Sequence, residues 1–145
     1  MIHIICLGKI KEDYLKTGIL DYLKRINKYH KIDIIELKDD ESPLKEEKEI
    51  LKYINSRSYN IAMDIKGDKL SSTDLANLID NIFITNSEIN FIIGSSNGLS
   101  NEVKERCQKL ISFGDVTMPH GLFRLVLLEQ IYRAFKINNN ESYHK

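Results

Sequence analysis

The side chains of this 145-residue sequence best suited to chemistry lie near its C-terminus: His120, Arg124, Glu129 and Arg133, then the closing Tyr143-His144-Lys145. An imidazole takes or gives a proton near neutral pH, and a guanidinium suits a phosphate or a base edge. Each also has a plainer reading: a helix-start histidine bonded to backbone, a structural Glu129–Arg133 pair four residues apart, and a frayed polar tail. A second group is made of loops, Met63 to Lys69, Gly94 to Leu99 and Phe113 to His120, whose glycines let main chain approach a ligand closely. Gly94-Ser-Ser-Asn-Gly98 is not followed by Gly-Lys-Ser/Thr, so it is no P-loop. Gly8-Lys9-Ile10-Lys11 lacks the GxGxxG of a dinucleotide fold, so a triphosphate or NAD is not the expected ligand.

These residues need elements to position them. The stretch from Met118 to Ile137 opens with Pro119 and Gly121, then runs unbroken from Leu122 as a helix that is apolar round most of its circumference. Such a helix must be buried nearly all round, and a second copy of the chain is the natural cover for the face that a small domain leaves open. Upstream, strands are predicted at Ile2–Leu7, Ile32–Leu37, Tyr59–Ile65 and Ile89–Ile93, with a fifth short strand near Ile111 before the Gly114 loop. Helices are predicted over Glu12–His30, from a Ser42 cap and Pro43 through Ser56, after Ser71-Ser72, and from a Ser100 cap to about Leu110. Lys66-Gly67-Asp68 reads as a turn. Strands alternating with helices predict one α/β domain over residues 1–145, its mostly parallel sheet covered by helices on both faces. Ligands then bind outside the carboxyl ends of the strands, where the three loops converge.

Composition narrows the class. Hydrophobic residues make up 42% and charged residues 29%, as in a soluble globular protein. No apolar run would span a bilayer and the N-terminus has no basic leader region, so no membrane is expected and a cytoplasmic location is. Cys6 and Cys107 have no metal-ligand spacing and read as small buried hydrophobes, with no metal expected. Net charge is zero, but residues 1–36 carry seven Lys/Arg against five Asp/Glu, residues 37–103 seven against twelve, and residues 104–145 seven against four. A fold that joins the two ends would show a basic face.

Ile92-Ile93-Gly94-Ser-Ser-Asn-Gly98-Leu99, Thr117-Met-Pro-His120, Arg124 through Lys136 and the closing Tyr143-His144-Lys145 resemble the ribosomal RNA large subunit methyltransferase H family. These are small SPOUT methyltransferases with a C-terminal trefoil knot, a topology that pattern reasoning would never propose. The similarity takes in Leu7-Gly8-Lys9 and Met63-Asp-Ile-Lys-Gly67 and so covers essentially the whole chain. It implies a homodimer that uses S-adenosylmethionine to methylate N3 of a pseudouridine in a stem-loop of large-subunit (23S) rRNA on assembled ribosomes. It also implies a cofactor site made of Met63, Gly94, Phe113, Gly114, Asp115, Val116, Thr117 and Met118, largely through main-chain groups. Where the family more commonly has leucine and glycine this chain has Met63 and Ser95, and its segment 38–50 is shorter, a difference expected to touch surface features alone. His144, His120 and Glu129, in that order, are the candidates to take the N3 proton, Arg124, Arg133 and Lys145 to hold phosphates, and Tyr143 to stack on the base. The competing reading is a non-catalytic ribosome- or RNA-binding α/β module, which predicts no cofactor affinity. A small-molecule enzyme for a phosphorylated ligand is disfavoured by the missing phosphate loop.

Overall fold

The computed structural model describes every residue from Met1 to Lys145. Five strands, β1 (Ile2–Leu7), β2 (Ile32–Leu37), β3 (Ser58–Lys69), β4 (Glu88–Ile93) and β5 (Lys109–Ser112), pair in the order β2-β1-β4-β3-β5 with every ladder parallel. The helices are α1 (Asp13–Ile26), α2 (Pro43–Leu51), α3 (Ser72–Thr85), α4 (Asn101–Glu105) and α5 (His120–Asn138).

Alternation along the strands sorts the core into two layers. Ile2, Ile4 and Cys6 with Ile89, Phe91 and Ile93 point to one face, against Leu15 and Ile19 of α1, Leu75 and Ile79 of α3, and Leu127, Leu128 and Ile131 of α5. Ile5, Leu7, Leu37 and Ile92 point to the other, against Ile50 of α2 and Val103 of α4. Helices therefore cover both faces, as the strand–helix alternation requires. The heavier layer has α5 between α1 and α3, so most of its circumference is buried or half-buried. The two basic ends do meet there: Arg25 of α1 lies over the Tyr22 and Tyr132 rings, and Lys136 of α5 over Tyr29 and Tyr132.

The Ser71 cap is a full capping box with Asp74, and the Ser100 hydroxyl accepts from the Val103 N–H at 3.2 Å. Elsewhere the expectations need correction. Ser42 makes no side-chain cap; its N–H donates to Asp40 Oδ1 at 2.8 Å, so Asp40 shapes the entry to α2. α2 ends at Leu51 rather than at Ser56, and α1 ends at Ile26 rather than at His30. α4 stops at Glu105, because the chain must turn early enough for Lys109 to enter the sheet beside Ile61.

The Lys66-Gly67-Asp68 segment is not a turn. β3 continues through it after a bulge, so that Ile111 pairs with both Met63 and Asp68. Gly67 permits this second approach: a Cβ there would sit 2.6 Å from the Ile111 nitrogen and the Leu110 carbonyl carbon. Neither cysteine is bonded, and burial pushes both thiols up to about 11, which fits packing roles. No helix is long and apolar enough to cross a membrane, and no three His, Cys, Asp or Glu side chains converge as metal ligands would.

Candidate active site

The bulge of β3 and the carboxyl ends of β4 and β5 open into a cleft of about 600 Å³. Sequence register explains why. Met63 pairs with Ile93 and Ile111, so the bulge of β3 just after Met63 lies beside the ends of β4 and β5, and Asp64 and Ile65 of that bulge form the rim together with residues 94–99 and 112–118. His120 and Phe123 at the start of α5 close the far side.

Seven of the eight expected cofactor residues line this cleft: Met63, Gly94, Phe113, Gly114, Val116, Thr117 and Met118. Asp115 alone turns its side chain away, into an exposed ion pair with Lys69 at 2.8 Å. The walls suit a flat heteroaromatic ring with polar edges. Met63, Ile93, Ile111 and Met118 are apolar, while the loops offer main-chain donors and acceptors. Gly94 is needed for the shape of the rim, since a Cβ there would lie 2.8 Å from the Gly98 carbonyl carbon.

Two charged side chains of the cleft escaped the sequence reading, Asp64 and Lys104, which pair at 2.7 Å. Burial works against the Asp64 carboxylate, but the Lys104 ammonium and the Lys66 N–H outweigh it and hold its pKa below the usual carboxylate range. Nothing local in sequence links residues 64 and 104; only the packing of α4 beside β3 does.

The six expected catalytic residues separate into three places. His120 lines the cleft, and its ring has no hydrogen-bond partner. Arg124 does not face the loops. It is 3% exposed, with Nη1 donating to Glu36 Oε2 at 2.6 Å and Nη2 to the Gly8 carbonyl at 3.2 Å. Its place in the first turns of α5 implied a ligand, but the helix rotation that buries Leu127 and Leu128 carries Arg124 inward to the ends of β1 and β2. Holding a phosphate is therefore not its role here. Arg124→Ala is expected to lower unfolding free energy by about 2 kcal/mol, because Glu36 is itself half-exposed and relaxes toward water. Chemical denaturation measures this, and cofactor affinity should stay unchanged.

The remaining four form one cluster at the other end of α5. Glu129 Oε1 accepts from Arg133 Nη2 at 2.5 Å, from Arg133 Nε at 3.0 Å and from the Tyr143 hydroxyl at 3.1 Å. Arg133 lies 4.8 Å from the centre of the Tyr143 ring and donates to His144 Nδ1 at 3.1 Å. The tail is thus docked rather than frayed, with Tyr143 also packed edge-on against Tyr132 at 4.9 Å. Burial, then its neighbours Tyr22 and Glu129, push the Tyr143 hydroxyl well above its ordinary value, so it remains a donor. The hydrogen bonds and charge of Glu129 likewise raise the Arg133 pKa.

None of these four residues lines the cleft. At 1.5 Å per residue, Glu129 and Arg133 lie about 14 and about 20 Å along α5 from His120. Leu122, Val126, Glu129 and Arg133 follow one another at helical spacing on the outward side, with Leu122 exposed and the other three only half-buried. Within one chain, the cofactor-type cleft and the polar cluster are separate places.

The class of protein follows from comparison with known sequences: the family described as "Predicted SPOUT methyltransferase" matches residues 1–144, and the chain belongs to it. More particularly, it is 48% identical to Ribosomal RNA large subunit methyltransferase H of Clostridium botulinum (strain Hall) over 157 aligned residues, covering 99% of each chain. The Clostridioides difficile (strain 630) protein of that name is equally similar, and the Streptococcus uberis one is 46% identical, each over 99% of both chains. In fold it is similar to a probable methylase family protein from Haemophilus influenzae Rd KW20, with a TM-score of 0.58 at 13% identity, over 99% of this chain and 70% of that one.

Proposed function

We propose that this chain transfers a methyl group from S-adenosylmethionine to N3 of a pseudouridine in a large-subunit rRNA stem-loop, acting on assembled ribosomes as a homodimer. The observation that carries the reading is the division of the site. A cleft of apolar walls and main-chain donors suits the adenosyl part of the cofactor, yet the side chains suited to RNA lie outside it. An isologous dimer docked through the outward stripe of α5 joins the two halves, because in such an interface residue i meets residue j and j meets i. The Tyr143–His144 cluster of one copy then faces the His120 cleft of the other. A knotted C-terminal path belongs to the same reading, with α5 fixed against the loops it threads.

Bound in the cleft, S-adenosylmethionine supplies a methyl already activated on a sulfonium, so the residues have mainly to align the acceptor and exclude water. Tyr143, still protonated, stacks against or donates to the uracil ring, and Arg133 and Lys145 hold backbone phosphates. The N3–H must be removed, and the hydrogen bonds of the candidates support His120 ahead of His144, the reverse of the order that side-chain type alone gives. Arginine only donates, so His144 Nδ1 accepts from Arg133 and the neutral ring carries its proton on Nε2. His144 then donates to the ring oxygen that gains charge, and Glu129 is saturated by its partners. His120, unpartnered at the cleft wall, takes the proton.

The test is transfer of labelled methyl to ribosomes lacking the modification, with free rRNA in parallel and the product nucleoside identified. Label in N3-methylpseudouridine from ribosomes, and little from free rRNA, is expected, since a chain with zero net charge neutralises few phosphates. No label in either, with no cofactor bound, would return the chain to the binding-module reading.

A further inference from the structure

Behind the 94–99 loop lies a second cleft of about 570 Å³, on the far side from the cofactor-type cleft. Ser95, Ser96, Asn97 and His120 border both, so the loop is a partition with open space on either side. What holds it is a carboxylate from α2. Glu46 is 3% exposed, yet no cation pairs with it. Its Oε1 accepts from the Ser95 hydroxyl at 2.6 Å and from Asn97 Nδ2 at 3.1 Å, and its Oε2 accepts from the Asp40 N–H at 3.0 Å. Ser95 Oγ in turn accepts from the Asn97 N–H at 3.2 Å, and the Gly98 N–H donates to the Ser95 carbonyl at 2.9 Å. Asn97 Nδ2 also reaches the Asp40 carbonyl at 3.3 Å.

A buried carboxylate without a cation is costly, and an apolar residue would fill the same space under α2 at no such cost. What only the carboxylate can do is collect three neutral donors from two separate segments. We propose that Glu46 is a positioning residue for the cofactor site: it latches the 94–99 loop from behind and sets the rim against which the cofactor binds. This rests on reading the cleft as the S-adenosylmethionine site. Two features of the sequence acquire a role. Ser95, where the family more commonly has glycine, supplies the shortest bond of the latch. The shortened segment 38–50 is more than surface, because it carries both Asp40 and Glu46.

The experiment is calorimetric S-adenosylmethionine binding to the full-length protein, paired with steady-state methyl transfer to ribosomes. Losing hydrogen bonds to a charged group corresponds to about tenfold to a hundredfold, so Glu46→Ala should raise Kd and the KM for the cofactor by that factor while kcat at saturation stays within about twofold. Glu46→Gln keeps an oxygen acceptor for Ser95 and Asn97 but sets its amide NH₂ against the Asp40 N–H, so it should fall between wild type and Glu46→Ala in Kd. Ser95→Ala, which removes one donor and no buried charge, should weaken binding by about threefold to tenfold even where Glu46→Ala does not fold. A folded Glu46→Ala protein, or Ser95→Ala, with wild-type Kd overturns the latch, since a purely structural role would lower only the melting temperature. Wild-type protein that binds no S-adenosylmethionine removes the cofactor reading together with the latch. Wild-type binding with unaffected variants removes the latch alone.

Discussion

Deleting Tyr143, His144 and Lys145 is expected to slow methyl transfer by about a hundredfold to ten-thousandfold, while leaving S-adenosylmethionine affinity within about twofold. The asymmetry follows from position. The three residues are absent from the cleft lining of their own chain, so the apolar walls and main-chain groups proposed to hold the cofactor are untouched. The acceptor loses the protonated Tyr143 hydroxyl, the His144 donor that Arg133 orients, and a terminal cation. Folding should survive, because Tyr143 is only half-buried and Glu141 still ties the chain to Tyr29 and Lys136. Single-turnover transfer and calorimetry separate the two effects. An unchanged rate would remove the tail from the mechanism.

Gly94→Ala should act on the opposite half. The added methyl would meet the Gly98 carbonyl carbon and oxygen at 2.8 and 2.9 Å, backbone atoms tied by the Ser95–Gly98 bridge, and Leu99 Cγ at 3.1 Å. Relief requires the loop to move, either off the Glu46 latch or into the cleft. Cofactor affinity should fall by about a hundredfold or more, a loss of about 2.7 kcal/mol or more in binding. The loop sits at the end of β4 and outside the main core layer, so stability should fall by only about 1 kcal/mol. Cofactor binding at wild-type strength would mean that the rim is softer than its contacts suggest.

Much of this arrangement was legible in the sequence because it rests on local signals. Short apolar runs placed β1, β2 and β4 to within one residue, and Ser71 and Ser100 announced their helices by chemistry that operates within three positions. Two of the loops that line the cleft were found for the same reason, since each follows the end of β4 or β5. What escaped was set by contacts distant in sequence. The extension of β3 past Gly67 depends on β5, 44 residues on at Ile111. The inward turn of Arg124 depends on Glu36, 88 residues away, and the latch on a 49-residue separation between Glu46 and Ser95. A buried Glu46 in so charged a segment reads as solvated surface until α2 is packed against the sheet. The tail illustrates the same limit, since it is Glu129, Tyr132 and Arg133 of α5 that hold Tyr143 and His144 in place.

The proposal that a second copy completes each site is tested most directly with the 143–145 deletion and Gly94→Ala, mixed under conditions that exchange subunits. The cofactor concentration is one that fills the wild-type cleft but not that of Gly94→Ala, so that each protein alone is inactive. A hybrid dimer joins the intact cleft of the first to the intact tail of the second, giving one working site of two. With random exchange, half the dimers are hybrids, so methyl transfer should return to about a quarter of the wild-type level. If cleft and tail act within the same chain, no hybrid contains a complete site, and a mixture as inactive as its components would contradict a shared site.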